Sequence, residues 1–172
     1  MRRRDRRSAV RLLAEIARTL DEAGIAFWLR GGWALDFLVG RIRHDHADID
    51  LVAWLADRDA IDGALASCGF KRVGEDAHVA LDFEKEGESI QILLVESTPS
   101  GTLVVRGFES WPFPEGALGH ARRLGDVVCR TLTPRALLYE KETYEANKGR
   151  PLREKDHVSI RLLRELAADS SS

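Results

Sequence analysis

The chain is poor in cysteine. It has two, Cys68 and Cys129, far apart and without the spacing of a metal-ligand set. That excludes a disulfide scaffold and a cysteine-built zinc module, and it is the usage expected of reduced, buried thiols in a cytoplasmic protein. An excess of charge of either sign is also missing, because 26 Lys and Arg stand against 28 Asp and Glu for a net charge of −2. No global basic field exists to draw in nucleic acid, so none is expected as a partner. No apolar run approaches the ~20 residues of a membrane span, and no signal peptide follows the opening arginines, so no membrane partner is expected. Internal repeats are absent as well.

The remainder is the composition of a soluble globular protein, 44% hydrophobic and 31% charged. A chain of 172 residues can bury a real core. The expectation is one domain over 1–172, with a core at about 8–131, C-terminal helices at about 133–168 and a disordered tail at 169–172. The start, Arg2-Arg3-Arg4-Asp5-Arg6-Arg7, is locally basic. It reads either as an arm for nucleic acid or membrane, or as a solvated lead-in to a helix; the second reading is favoured.

Periodicity predicts a helix from Ser8 to Glu22, with Leu13, Ile16, Ala17 and Leu20 as its apolar stripe, ended by Gly24. Ile25 to Leu29 reads as a short buried strand, Trp33 to Val39 as a short helix stopped by Gly40, and Arg41 to Ala47 as a polar loop. An apolar run with two acids, Asp48 to Trp54, reads as a strand, followed by a helix from Arg58 to Ser67 and a short strand at Phe70 to Val73. Ala77 to Lys85 and Glu88 to Glu96 alternate around Glu86-Gly87 as a hairpin, and Thr102 to Arg106 follows as a third strand. Trp111-Pro112-Phe113-Pro114 must be extended, and Asp126 to Thr131 is expected as the last strand. Thr133-Pro134 caps a helix through about Asn147, and a final helix runs from near Glu154 to Ala167. Strands and helices mix without strict alternation, which predicts an α/β (α+β) fold with a mixed sheet flanked by helices and C-terminal helices.

The chemistry concentrates between Gly31 and Leu51. Gly31-Gly32 is followed, after fifteen residues, by Asp48-Ile49-Asp50-Leu51. Acids at i and i+2 of a strand share one face, their Cα atoms about 6.6 Å apart. Such a pair suits Mg²⁺, which takes few carboxylates and fills its shell with phosphate oxygens. A Gly-Gly pair before a helix start lets backbone N–H groups approach a phosphate closely. Together these halves read as a site for a nucleoside triphosphate and its metal.

The string Leu29-Arg30-Gly31-Gly32-Trp33-Ala34-Leu35-Asp36, then Gly40-Arg41, then His46-Ala47-Asp48-Ile49-Asp50-Leu51 resembles the signature of the nucleotidyltransferase superfamily. Within it, the small aminoglycoside 2″-nucleotidyltransferases and lincosamide nucleotidyltransferases are the most similar. The resemblance implies Asp48 and Asp50 as the catalytic, metal-binding pair for Mg²⁺, and Gly31 and Gly32 as the phosphate cradle. Arg43 and His46, with Arg41 and His44 beside them, are cations near the phosphates or solvated loop residues. Zinc binding by His44 and His46 is disfavoured, since nothing completes a tetrahedral set. Asp36 matches the family opening and reads equally as a surface or capping acid; Trp33 reads as packing. Lys141, and Lys155-Asp156, resemble a C-terminal pattern in which a helix lysine approaches the triphosphate, or are solvated surface lysines.

The pattern fails at one place. Members usually carry a third carboxylate on a neighbouring strand, a base on the acceptor hydroxyl in the antibiotic-modifying enzymes, and Gln91 in Ile90-Gln91-Ile92 takes its position. Glutamine cannot take a proton at useful pH. His78, Asp82 and Glu84 share one face of the hairpin's other strand, as a substitute base or as its solvent side.

The resemblance implies an enzyme moving a nucleoside monophosphate from ATP or another NTP to a hydroxyl of a small polar acceptor, of the aminoglycoside or lincosamide kind. Glu84, Glu86, Glu88, Glu96 and Glu109 are candidates to line an acidic pocket for a cationic acceptor, or are simply solubilising. Two alternatives stand beside it: a catalytically impaired nucleotide-binding or regulatory protein, given Gln91, and a toxin–antitoxin-type nucleotidyltransferase acting on RNA or protein, given the arginine-rich start. A monomer or homodimer is expected.

Overall fold

The computed structural model describes residues 6–74 and 78–170. Five helices and eight strands follow in the order α1 (Arg6–Glu22), β1 (Phe27–Arg30), α2 (Gly31–Val39), β2 (Asp48–Trp54), α3 (Arg58–Ser67), β3 (Lys71–Val73), β4 (Ala80–Lys85), β5 (Glu88–Ser97), β6 (Leu103–Val104), β7 (Leu118–Leu124), β8 (Val127–Leu132), α4 (Pro134–Lys148) and α5 (Glu154–Asp169). The strands form one mixed sheet in the order β3-β4-β5-β2-β1-β8-β7, with β6 paired to β5 off this path. Pairings are antiparallel except β2 with β5 and β1 with β8, which are parallel.

The periodicities account for the core. Leu12, Leu13, Ile16 and Leu20 recur at helical spacing along α1 and are fully buried. On β2, Ile49, Leu51 and Ala53 point into the core, which turns Asp48 and Asp50 to the opposite face. Thr133 caps α4, its hydroxyl accepting from Ala136 N–H at 3.3 Å, and Gly149 closes the helix in the left-handed conformation. α4 packs on α5 and touches α2, which brings the C-terminal helices over the start of α2.

The mixed architecture is as expected, with differences in detail. β6 keeps two residues of the expected strand at Thr102 to Arg106. α5 continues to Asp169, into the expected tail. Strand β7 was not expected at all: Leu-Gly-His-Ala-Arg-Arg-Leu has no alternation of apolar and polar residues, because it is an outer strand, mostly exposed and paired on one side. Residues 2–5 of the basic start, the proposed beginning of the hairpin at Ala77 and the tail's 171–172 lie outside the described residues; Arg6 and Arg7 open α1. Cys68 and Cys129 are free thiols, and burial pushes the Cys129 thiol up to about 12. Among the described residues no helix is long and apolar enough to cross a membrane.

Candidate active site

The strand β1 ends at Arg30 and the chain turns directly into α2 at Gly31, which adopts φ +65°. A Cβ there would sit 2.7 Å from Asp50 Oδ2, so glycine is required both for the turn and for the approach of β2. At Gly32 an added Cβ would overlap the His46 ring, 2.6 Å from Cε1. The glycine pair is therefore the floor against which Asp50 and His46 rest.

His46 and Arg43 come from the loop between α2 and β2, and neither simply extends to solvent. Both turn onto Asp36, which is fully buried in α2: Arg43 Nε donates to Oδ1 at 2.8 Å and His46 Nε2 lies 2.6 Å from Oδ2. Asp36 is thus neither a surface acid nor a cap but the clamp that folds the loop back over the glycines. Trp33 is buried with its ring 4.7 Å from that of His46, a packing role as expected. The His44 ring lies tilted against that of His46, their centres 4.4 Å apart, and among the described residues no group of three or more His, Cys, Asp or Glu could hold a metal by itself.

Asp48 and Asp50 line a cavity together with Gly31, Gly32, Arg43, His46, Lys141, Arg153 and Lys155. Burial raises the Asp50 carboxyl above the ordinary aspartate range; Arg30 pulls it down, and Asp48 and Glu140 push it up. Two neighbouring carboxylates with unspent negative charge, open to a cavity with four cationic side chains, fit a divalent cation whose remaining ligands are phosphate oxygens. They do not form an all-protein metal cage.

The cations on the far wall are held in place by Asp156. Lys141 bonds its Oδ1, while the Arg153 backbone N–H and Nε each donate to Oδ2 at 3.0 Å. Desolvation alone would raise this carboxyl, but the hydrogen bonds from Arg153 and Lys141 overcome it and hold it well below the usual carboxylate range. A depressed folded-state value stabilises the fold above the unfolded value near 4, and the gain disappears as pH falls through the folded value. Asp156→Asn is expected to cost about 1–2 kcal/mol at pH 7. Urea midpoints of variant and wild type should converge as the pH is lowered below about 4.

Gln91 lies beside Asp50 in the parallel β2–β5 register and opposite Asp82 in the antiparallel β4–β5 register. Its Nε2 donates to Asp82 Oδ1 at 3.0 Å, and Asp48, Asp50, Asp82, Ser89 and Gln91 line a second cavity contiguous with the first. Asp82 and Glu84 share this cavity's wall, whereas His78 is exposed outside it.

Two residues had escaped notice. Arg30 Nη2 pairs with Glu140 Oε1 of α4 at 3.2 Å, and Arg30 is the register partner of Asp50. A charged residue closing the buried run Phe27–Leu29 was the available signal for Arg30; Glu140 had none beyond its place next to Lys141.

Of the glutamates considered for an acidic pocket, Glu84 lines the second cavity beside Asp48, Asp50 and Asp82, and the others lie elsewhere. Glu86 pairs with Arg11 and Glu96 with Arg106, Glu88 is buried, and Glu109 accepts from its own turn at Gly107 N–H.

Comparison with known proteins matches residues 12–163 to the family model described as aminoglycoside-2″-adenylyltransferase. The 2″-aminoglycoside nucleotidyltransferases of Klebsiella pneumoniae and Escherichia coli are 43% identical to this chain over 42 residues, a stretch spanning 24% of this chain and 24% of theirs. The crystal structure of ANT(2″)-Ia in complex with adenylyl-2″-tobramycin superposes with a TM-score of 0.77 at 21% identity, over 95% of this chain and 92% of that one. The lincomycin-bound lincosamide adenylyltransferase LnuA gives 0.73 at 20% identity, over 90% and 95%. At such identities the structural likeness is one of fold. The family model, by contrast, runs through all but the two ends of the chain, which belongs to the aminoglycoside-2″-adenylyltransferase family.

Proposed function

We propose that this chain transfers a nucleoside monophosphate from ATP or another NTP to a hydroxyl of a small-molecule acceptor. The observation that carries the reading is the placement of Asp50 against Gly31 at the start of α2, with Asp48 beside it and Lys141, Arg153 and Lys155 lining the same cavity. Mg²⁺ bound by Asp48 and Asp50 would neutralise triphosphate charge and polarise the α-phosphate. The glycines admit the phosphates close to backbone N–H groups, and Lys141 and Arg153, fixed by Asp156, present the cations. Arg43 and His46 act through the loop they pin to Asp36.

In the reaction the acceptor oxygen forms a bond to the α-phosphorus, the bond to the β-phosphate bridging oxygen breaks, and pyrophosphate leaves. The hydroxyl proton needs a destination that Gln91 cannot provide. We assign it to Asp82, one strand beyond. Gln91 commits its amide N–H₂ to Asp82, which directs its carbonyl oxygen toward the acceptor as a hydrogen-bond acceptor.

The test is pyrophosphate release with Mg²⁺ and each NTP over a panel of aminoglycosides and lincosamides. Release with at least one acceptor is expected. Binding of NTP without release for any of them would favour the catalytically silent alternative, for which Gln91 is the specific observation. Asp82→Asn should lower turnover roughly 10²-fold, the smaller end of a positioned base's contribution, with KM little changed. Gln91→Asp, which moves the carboxylate one strand closer to Asp50, should raise it about tenfold or more. An Asp82→Asn enzyme with wild-type turnover would remove Asp82 from the mechanism.

A further inference from the structure

The end of β1 carries a charge that the proposed transfer does not use. Arg30 is the antiparallel register partner of Asp50, so the two side chains leave the same face of the sheet from Cα atoms about 4.5–5.5 Å apart. Its Nη2 lies 3.2 Å from Glu140 Oε1. Its Nε is buried without a hydrogen-bond partner among the described residues. Burial disfavours the guanidinium charge, and the attraction of Glu140 and Asp50 overcomes that cost.

The charge around this arginine is lopsided. Asp48, Asp50, Asp82, Glu84 and Glu140 line the two contiguous cavities, in addition to Asp156, which is bound by Lys141 and Arg153. Arg43 is committed to Asp36, and Lys155 is exposed. Arg30 is thus the cation set among the metal-side carboxylates, joined to Glu140 and beside Asp50. As a guanidinium it has no lone pair to give a metal.

A fixed positive charge in this place acts with opposite signs on two ligands. It repels a bare divalent cation approaching Asp48 and Asp50. It attracts the metal–triphosphate complex, whose net charge is negative. Partial burial keeps salt from screening either effect away.

We propose, resting on the transferase reading, that Arg30 sets the order in which the site fills. It makes a free divalent cation bind poorly and the metal–nucleotide complex bind well, so that the ion enters with its nucleotide. Glu140 acts in the reverse sense, and its pairing with Arg30 holds both charges in place.

The experiment measures two affinities of the full chain with Mn²⁺ as a paramagnetic stand-in for Mg²⁺. Electron paramagnetic resonance reads Mn²⁺ alone; calorimetry reads Mn²⁺ mixed with ATP, GTP, CTP or UTP. Arg30→Gln should tighten Mn²⁺ alone at least fivefold and weaken the Mn²⁺–nucleotide complex at least fivefold. Glu140→Gln should do the opposite to both. Arg30→Lys, which keeps the charge, should stay within about threefold of wild type for each ligand. A merely structural pair predicts something different, because breaking it from either end would weaken both ligands in both variants. Arg30→Gln and Glu140→Gln moving in the same direction, or Arg30→Lys behaving like Arg30→Gln, would overturn the proposal. If the wild type binds the Mn²⁺ complex of at least one nucleotide while these shifts fail, the role of Arg30 alone is wrong. If it binds none of the four complexes, the transferase reading falls and this inference falls with it.

Discussion

Asp50→Asn should reduce turnover by at least about 10³-fold while leaving the fold as stable as wild type or more so. The loss follows from the position of the side chain. Asp50 is half-buried, lies against Gly31, and shares its strand face with Asp48, which places it at the centre of the cavity wall. Electrostatic stabilisation of a phosphoryl transition state by such a centre is worth several kcal/mol, and about 4 kcal/mol corresponds to roughly 10³-fold. The stability effect has the opposite sign. Burial is what raises the Asp50 carboxyl most, and repulsion from Asp48 and Glu140 adds to it against the pull of Arg30; an amide of the same shape removes the burial and repulsion costs. Pyrophosphate release at saturating NTP reads the first effect and thermal unfolding the second. Turnover within tenfold of wild type would mean that Asp50 is not at the reacting centre. Asp48→Asn should behave similarly in turnover but less so in stability, because Asp48 is exposed.

Asp36→Ala has its large effect on the fold instead. The carboxylate is wholly buried and receives Arg43 and His46, with Arg43 itself nearly inaccessible. Removing one partner of a buried charge pair leaves the other uncompensated, a loss of about 3–5 kcal/mol. At about 2–4 °C per kcal/mol for a chain of this size, the thermal midpoint should fall by roughly 6–20 °C. The loop over Gly32 would be released with it, so NTP affinity should fall as well. Asp36→Asn retains the shape but not the charge and should lie between. A midpoint shift under 2 °C for the alanine variant would show that the buried network contributes little.

The parts of this site that the sequence discloses are those where neighbours in the chain are neighbours in space. Asp48 and Asp50 share a face because strand geometry alone puts them there, and Gly31-Gly32 marks a turn wherever it occurs. The hairpin around Glu86-Gly87 likewise placed Asp82 across from Gln91 within the reach of pattern reasoning, though the hydrogen bond between them needed the register. Asp36 was ambiguous because its burial is created by a loop that folds back ten residues later. The Arg30–Glu140 pair joins the first strand to the fourth helix, a contact that no periodicity encodes. β7 was missed because an outer strand exposed on both faces has no core to impose alternation on it.

That outer strand has a bearing on how copies of the molecule meet. β7 displays Arg122 and Arg123, and β3 at the opposite end of the sheet carries Lys71 and Arg72. Arg72 is paired with Asp62, so the positive charge at the margins comes from Lys71 on one side and Arg122 and Arg123 on the other. Among the described residues these two edges have no further strand beside them, and a basic edge is one way a sheet disfavours the addition of a second sheet.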